Sequence, residues 1–580
     1  MDPVDSMRLT VWAAVVCGAG LLPTLQAAEE VKLPEAFPAL RAFWDAPSRT
    51  SENDWPFAEH REAERNGRQA AEQFYRCRRL VEGWRKHADP VTGLLPRNLR
   101  EGRDIWNAKD AAADNYPFHV LTAWFTDRAE FEGRMVDMLR TEARVTSRVG
   151  RMPDTWSFSK QGFVTPAPVL DDVIFGASEY VKDGLLPIAE WLGPSPWSER
   201  MIGIVDDIWK HAPVESPQGK LCSSNIEIVG DNLQALSRLY WFTGDEKYLE
   251  WAIRLGDYYL LGTNHPTRDF DTLRLRDHGC EIISGLCELY VTVHFARPKK
   301  KEEYSESVHA MCRRVLQIGR NEHGMFYETI NPKTGAHSER IGDNWGYNCN
   351  GLHAVGSVDG GFRYRNATWR VLLSLNESYR NYPWEGKGGA DGFADAIEGA
   401  LNLYNRERVP GVESWLDSEM RVMWSKQQPD GIVEGWHGDG NVARTALMYA
   451  LWKTKGCSVE PWREDVIVGG EMAGKGSLCV FLSAEDDWSG TLRFDIPRHR
   501  EYMRLPLDYP RINQFPEWFT VARHATYEVF RREADGESVE KEVSGEELRK
   551  GVPLTLEAGK PLRLIVSPAS IAEPETEPDR

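Results

Sequence analysis

From about residue 60 to 456 the chain is one amphipathic helical pattern after another. In Tyr248-Leu249-Trp251-Ala252-Leu255-Tyr258-Tyr259 the apolar residues return every three or four positions, which is the period of a helix with one buried face. Ile282-Ile283-Leu286-Leu289-Tyr290-Val293 and Val308-Met311-Val315-Ile318 repeat the pattern. Further helices are expected over 65–85, 116–126, 129–148, 171–191, 197–211, 230–242, 366–380, 391–405, 412–428 and 441–454. Loops of mixed length with Gly, Pro, Asp and Asn join them. Thr243-Gly244-Asp245 is a compact helix–helix turn, with Gly244 able to end one helix and Asp245 to cap the next. About a dozen helices in antiparallel pairs suit a closed ring of six hairpins better than a small bundle.

Near residue 463 the pattern changes. Asp465-Val-Ile-Val-Gly, Ser477-Leu-Cys-Val-Phe-Leu, Gly490-Thr-Leu-Arg-Phe-Asp, Thr526-Tyr-Glu-Val-Phe and Pro561-Leu-Arg-Leu-Ile-Val are short β-branched and aromatic runs bounded by turn residues. They predict a small C-terminal β-sandwich or β-sheet domain over 461–571. The Pro- and Glu-rich tail, 572–580, is expected to be disordered. At the other end, Met7-Arg8, an apolar run from Leu9 to Leu22 and the small pair Ala27-Ala28 read as a signal peptide over 1–28. A 29–60 extension then leads into a helical domain over 61–460. The expectation is an exported protein, periplasmic or extracellular, with no membrane span in the mature chain.

The formal charge of −18, from 70 Lys+Arg against 88 Asp+Glu, argues against a nucleic-acid partner, because binding there relies on cations that neutralise phosphates. Removing Asp2, Asp5 and Arg8 with the signal leaves −17. The eight remaining cysteines form no Cys-x-x-Cys pair, so no zinc site is expected and buried free thiols are preferred. There is no Gly-x-Gly-x-x-Gly after a strand, no Walker loop, no His-Glu-x-x-His and no nucleophile elbow. No cofactor and no metal is expected.

The helical region, the Thr243-Gly244-Asp245-x-x-Tyr248-Leu249 turn and the β domain behind it resemble the six-hairpin, (α/α)6-toroid glycosidases and related polysaccharide lyases. More narrowly, Ala390-Asp391-Gly392-Phe393-Ala394-Asp395-Ala396-Ile397-Glu398-Gly399, Trp415-Leu416-Asp417-Ser418-Glu419 and Trp436-His437-Gly438-Asp439-Gly440-Asn441 with Arg444-Thr445-Ala446 resemble glycoside hydrolase family 154. That resemblance implies β-glucuronidase-like activity and a saccharide cleft at one mouth of the ring. The fold class expected is mainly α, an (α/α)6 toroid followed by the small β domain.

A glycosidase needs two carboxyl groups flanking the scissile bond, one to donate a proton and one to act as base or nucleophile. Asp277 and Glu281, four apart in Arg276-Asp277-His278-Gly279-Cys280-Glu281, are candidates, with helix capping as the plainer role for Asp277. Asp439 is a third, between two glycines in a tight loop, where it or Asn441 also suits a cap. His278, Trp436, His437 and Arg444 are expected to bind substrate, the indole by stacking on a sugar and the guanidinium by clamping a carboxylate. Asp343 to His353 is polar, aromatic and Gly-rich and reads as a binding loop, adding Trp345, Tyr347, Asn348 and His353. Asp114, the pair Glu227 and Asp231, and the pair Asp391 and Asp395 are further acids, more than catalysis requires.

The leading expectation is an exported glycoside hydrolase acting on an oligo- or polysaccharide that contains uronic acid. A lyase that uses Tyr347 or a histidine to remove the proton beside a uronate carboxyl is the alternative, and a non-catalytic glycan-binding protein the third. A polyanionic substrate would need a local positive patch, which Arg276, Arg444, Arg363 or Arg365 would supply if gathered at one mouth. The 22 tryptophans divide into helix-face residues and a group in or beside loops, Trp106, Trp156, Trp345, Trp384, Trp415 and Trp436, expected around the cleft.

Overall fold

The computed structural model describes residues 58–386, 388–532 and 538–569. The segment 1–28 read as a signal peptide, nearly all of 29–60 and the 572–580 tail lie outside the described residues.

The fold is a mainly α toroid of helical hairpins followed by a small β domain. Six consecutive hairpins run from an inner helix through a short connection into an outer one. The first joins 108–126 to 128–146, and the second joins 170–192 to 196–210. Next come Ile226–Thr243 with Glu246–Gly256, and Cys280–Ala296 with Pro298–Ile318. Trp345–Asp359 with Phe362–Ser378, and Ala390–Arg406 with Val412–Trp424, complete the six. Among the described residues a seventh inner–outer pair closes the ring, made of the first helix, Ala58–Arg85, and the last before the β domain, Asn441–Thr454. The Thr243-Gly244-Asp245 turn forms as expected: Gly244 ends its helix at φ 74°, and the Asp245 side chain accepts from the Lys247 N–H.

Glycines let the inner helices approach. A Cβ on Gly230 would lie 2.3 Å from the carbonyl carbon of Glu281, and one on Gly346 would lie 2.4 Å from Gly399 Cα. The longer loops all lead from an outer helix to the start of the next inner helix, so the inner N-termini converge at one mouth. Their dipoles turn partial positive charge toward that mouth, which suits the acids gathered there.

Residues 343–353 are not the expected loop, because Trp345–Asp359 is an inner helix. It is enclosed by neighbours on every side through residue 356, so it lacks the polar face by which a surface helix shows itself. Asp277 does not cap Cys280–Ala296, whose N-cap is Gly279, and Gly440 rather than Asp439 or Asn441 stands at the N-cap of Asn441–Thr454.

In the β domain one sheet has five antiparallel strands, ordered Ser538–Ser544, Thr526–Arg532, Leu562–Pro568, Ser477–Ser483 and Ile467–Ala473. A second sheet orders Val552–Leu556, Trp488–Arg493 and Ser458–Glu460. Leu478, Val480, Leu564 and Val566 of the first share a core with Val459, Leu492 and Leu554 of the second, as in a sandwich. The segment 505–515, between two strands of this domain, leaves the sheets and enters the ring. Arg511 donates to both carboxylate oxygens of Glu190, Arg238 bridges Glu190 and Glu288, and the Tyr509 hydroxyl donates to Glu288. The strap therefore plugs the ring with a paired, buried ionic cluster. The eight described cysteines are free and buried.

Candidate active site

Above that plug lies a cavity of about 340 Å³, walled by the N-terminal turns of the inner helices. Its lining is dominated by acids, Asp110, Asp114, Glu179, Asp183, Asp277, Glu281, Asp343, Glu385, Asp391 and Asp395, set against Lys109, Lys182, His437 and Arg444. Two of the wall segments, Ala108–Asn115 and Tyr180–Leu185, are wound as π-helix, a widened turn often found at functional sites. They carry Asp110 and Asp114, and Lys182 and Asp183.

The acids fall into two linked groups. On one side Lys182 Nζ lies 2.7 Å from Glu281 Oε1 and 2.8 Å from Asp183 Oδ1, and Gln234 Nε2 donates to Glu281 Oε2. Burial opposes the Lys182 charge, but Asp183, Glu281 and Asp231 outweigh it and hold its pKa well above the usual lysine value. On the other side Asp395 is held by three donors: Arg444 Nη2 at 2.7 Å and the Tyr347 hydroxyl at 3.0 Å on Oδ1, and Asn344 Nδ2 at 2.8 Å on Oδ2. Burial, then the nearby Asp391, push the Asp395 pKa up to about 7, with Arg444 pulling the other way. Asp343 immediately precedes Asn344. Burial, then Asp395 and Glu385, push its pKa well above the carboxylate range, and its Oδ1 has no hydrogen-bond partner. Both carboxyls are thus shifted upward by burial, Asp395 with an arginine and two further donors on it and Asp343 with one oxygen unpartnered.

Near the rim His437 Nε2 lies 3.5 Å from Asp114 and its Nδ1 3.7 Å from Asp439. Burial opposes its charge, but Asp114, Asp439 and Asp391 raise its pKa to about 10. Asp110, Asp114 and His437 each offer a ligand atom close enough to the others to share a metal ion. Asn441 Nδ2 spans Asp114 and Asp391.

The sequence candidates separate on this frame. Asp277, Glu281, Tyr347, Trp436, His437 and Arg444 line the cavity. Asp277 has φ +39°, a conformation that costs free energy in a non-glycine residue, and its backbone N–H donates to Asn344 Oδ1. Glu281 faces the cavity but is committed to Lys182 and Gln234. Asp439 lies behind His437 and is not part of the lining. The His278 side chain lies outside what is described. Trp345 is fully buried in the core, and Asn348 donates to the Leu275 carbonyl, so both pack the ring rather than face substrate. His353 belongs to the far end of its helix, where it pairs with Glu407 alongside Arg365 and Trp369.

Two further expectations are corrected. The four arginines do not gather. Arg444 lies at the cavity floor and Arg276 at the rim between Glu328 and Glu385, whereas Arg365 binds Glu407 and Arg363 shares its outer helix. Of the loop tryptophans, Trp106, Trp345, Trp384 and Trp415 are core, Trp156 is partly buried, and Trp436, 72% exposed, stands at the cavity with Arg97 stacked 4.7 Å from its ring centre. Flanking polar residues do not tell a substrate platform from a tryptophan that opens a buried helix. Sequence reasoning assigned no role to Lys109, Lys182, Asp183 or Asn513, and placed Asp343 only at the start of a loop. Asp391 and Asp395 carried a signal, as acids on one helical face within the segment resembling family 154.

No protein-family model and no curated protein matches the sequence. Among solved structures the chain is similar to the α-1,6-mannanase of Salegentibacter sp. HEL1_6, at 10% identity over 65% of this chain and 98% of that one, TM-score 0.36. It is similar to the unsaturated glucuronyl hydrolase of Bacillus sp. GL1, at 11% identity over 50% of this chain and 86% of that one, TM-score 0.34. A family 76 glycoside hydrolase from a bovine Bacteroides thetaiotaomicron strain matches at 12% identity over 50% of this chain and 71% of that one, TM-score 0.36. At these scores the likenesses bear on neither activity nor substrate. What the chain's own structure defines is a helical toroid with an acid-lined cavity at the inner helix N-termini.

Proposed function

We propose that this protein is an exported glycoside hydrolase and that Asp343 and Asp395 are its working carboxyls. Asp343, kept neutral, protonates the leaving oxygen. Asp395, anchored by Arg444, Tyr347 and Asn344, serves as base or nucleophile. The observation that carries this is the pair itself: two carboxyls lining one cavity, Asp395 held by Arg444, Tyr347 and Asn344, and Asp343 with an unpartnered Oδ1. The Tyr347 phenol weighs against elimination. Burial, then Asp395 and Glu398, push its pKa well above the ordinary tyrosine value, and its single proton is shared between Glu398 Oε2 at 2.6 Å and Asp395 Oδ1 at 3.0 Å.

The family 154 resemblance makes a β-glucuronide the first substrate to try. With the arginines dispersed, the cation best placed for a uronate carboxylate is Lys109, exposed on the cavity wall with its Nζ 5.4 Å from the Phe175 ring centre. Trp436 supplies a stacking face beside it. Lys109→Met is expected to raise KM for a glucuronide about tenfold, on the order of 1.4 kcal/mol, and to leave a neutral glucoside unaffected. Equal effects on both would remove the uronate assignment.

The test of the site is amide substitution at Asp343 and Asp395, with Asp277, Glu281 and Asp439 alongside, assayed on aryl glycosides and oligosaccharides. Asp343→Asn and Asp395→Asn are each expected to lower kcat by about a hundredfold or more, in the range of a lost general acid or base. Asp343→Asn should recover most on substrates whose leaving group needs no protonation. Full activity in both variants would move the chemistry to other acids.

A further inference from the structure

The residue that joins the two acid groups comes from neither wall of the ring. Asn513 lies on the strap 505–515 of the C-terminal domain and is 1% exposed. Its Oδ1 accepts from Arg444 Nη1 at 2.8 Å, its Nδ2 donates to Asp183 Oδ1 at 2.6 Å, and its backbone N–H donates to Glu398 Oε1 at 2.6 Å. One side chain and its own amide thus reach three inner helices. The orientation of the side-chain amide follows from its partners, since an arginine only donates and an ionised carboxylate only accepts. Asn513 has φ +61°, a region in which asparagine is among the few tolerated side chains. The strap is held on both sides of it. Ile512 packs with Cys280 and Tyr347, the Ile512 carbonyl accepts from Arg238, and Asn402 Nδ2 donates to the Gln514 carbonyl.

We propose that the β domain completes the active site: Asn513 is a positioning residue that fixes Arg444 against Asp395 and ties that group to Asp183 and Lys182 across the floor. This rests on the hydrolase reading above. Arg444 makes its contacts to Asp395 and Glu398 with Nη2, and its other terminal nitrogen, Nη1, is held by Asn513, with a longer contact to Asn441. Without Asn513 the guanidinium loses that hold and is free to turn away from Asp395.

The test uses two variants in the full-length chain. Asn513→Gly keeps the left-handed backbone and its N–H to Glu398 but deletes the amide. Asn513→Asp keeps the shape but sets an oxygen against Asp183. Asn513→Gly is expected to unfold close to the wild-type transition and Asn513→Asp below it but cooperatively, and both to lower kcat about tenfold or more with KM changed by less than about threefold, as for outer partners of other sites. The rising limb of the kcat–pH profile should move to higher pH in both, further in Asn513→Asp, because a loosened Arg444 or an added negative charge disfavours ionised Asp395. An unmoved limb with wild-type kcat in both variants overturns the proposal. So does a limb that moves only in step with lost stability. If the wild-type chain cleaves no glycoside, the hydrolase reading falls, and hydrogen–deuterium exchange decides the rest. Faster exchange over 182–185 and 441–446 in Asn513→Gly supports the tie between strap and site, and unchanged exchange overturns it.

Discussion

Replacing Arg444 by Met removes the charge that sits 2.7 Å from Asp395 and 3.1 Å from Glu398 while keeping much of the side-chain volume. With charge centres about 4 Å apart and an effective dielectric constant of about 20, the lost attraction is on the order of 4 kcal/mol. At 1.36 kcal/mol per pKa unit that is a ceiling of about 3 units, which relaxation and entering water will reduce. Burial and the nearby Asp391 push the Asp395 pKa up to about 7 in the intact site. The sign is fixed: losing a cation favours the neutral acid, so the pKa rises. In Arg444→Met the rising limb of kcat/KM against pH should therefore move to about 8 or above, and the ionised fraction at neutral pH should fall from about half to about a tenth. Arg444→Lys keeps a charge without the fork and should fall between the two. The assay is the pH profile on a single aryl glycoside, with a thermal unfolding curve on each variant. A limb that stays near 7, or moves to lower pH, in a folded Arg444→Met protein would refute the reasoning.

The remaining predictions concern stability. Arg511→Met leaves Glu190 buried with Arg238 as its remaining arginine and should destabilise the chain by about 3–5 kcal/mol, read as a lowered urea midpoint. A loss under about 1 kcal/mol would mean that the strap's ionic cluster is replaceable by apolar packing. Burial opposes ionisation of Glu407, but bonds from His353, Arg365 and Trp369 lower its pKa to about 2. Its folded pKa is depressed, so the stability it contributes is present above the unfolded value of about 4.3 and is lost as pH falls toward 2. Glu407→Gln should flatten that acid-side loss and leave the activity profile unmoved, since Glu407 stands outside the cavity lining.

The outer helices were legible because each has one wet face, and the strands because their β-branched and aromatic runs are bounded by turn residues. Helical periodicity marks 196–210 and 246–256, and β-branched runs mark Ser477–Ser483 and Leu562–Pro568. Trp345–Asp359 was not legible, since a helix enclosed on all sides and threaded with glycine for close approach has no polar stripe to set its period. The same enclosure explains the tryptophans. Trp345 and Trp415 stand beside polar residues that face other helices, and of the loop group Trp436 is the one left largely to the solvent. Acids were visible everywhere, but their roles depend on partners brought from distant segments. Asp395 is defined by Arg444 and Tyr347, Glu281 by Lys182, and Arg444 in turn by Asn513. The strap could not be read at all, because 505–515 has neither helical nor strand period and its polar residues find their partners only inside the ring.

The central claim is that the acid-lined cavity hydrolyses a glycosidic bond. The most direct measurement follows reducing ends and ultraviolet absorbance together as the purified full-length chain acts on glucuronide-containing oligosaccharides. The account predicts one new reducing end per cut, no unsaturated absorbing product, and loss of the signal in Asp395→Asn. Absorbance rising in step with the cuts would make the protein a lyase, and binding without release of reducing ends would make the cavity a glycan receptor.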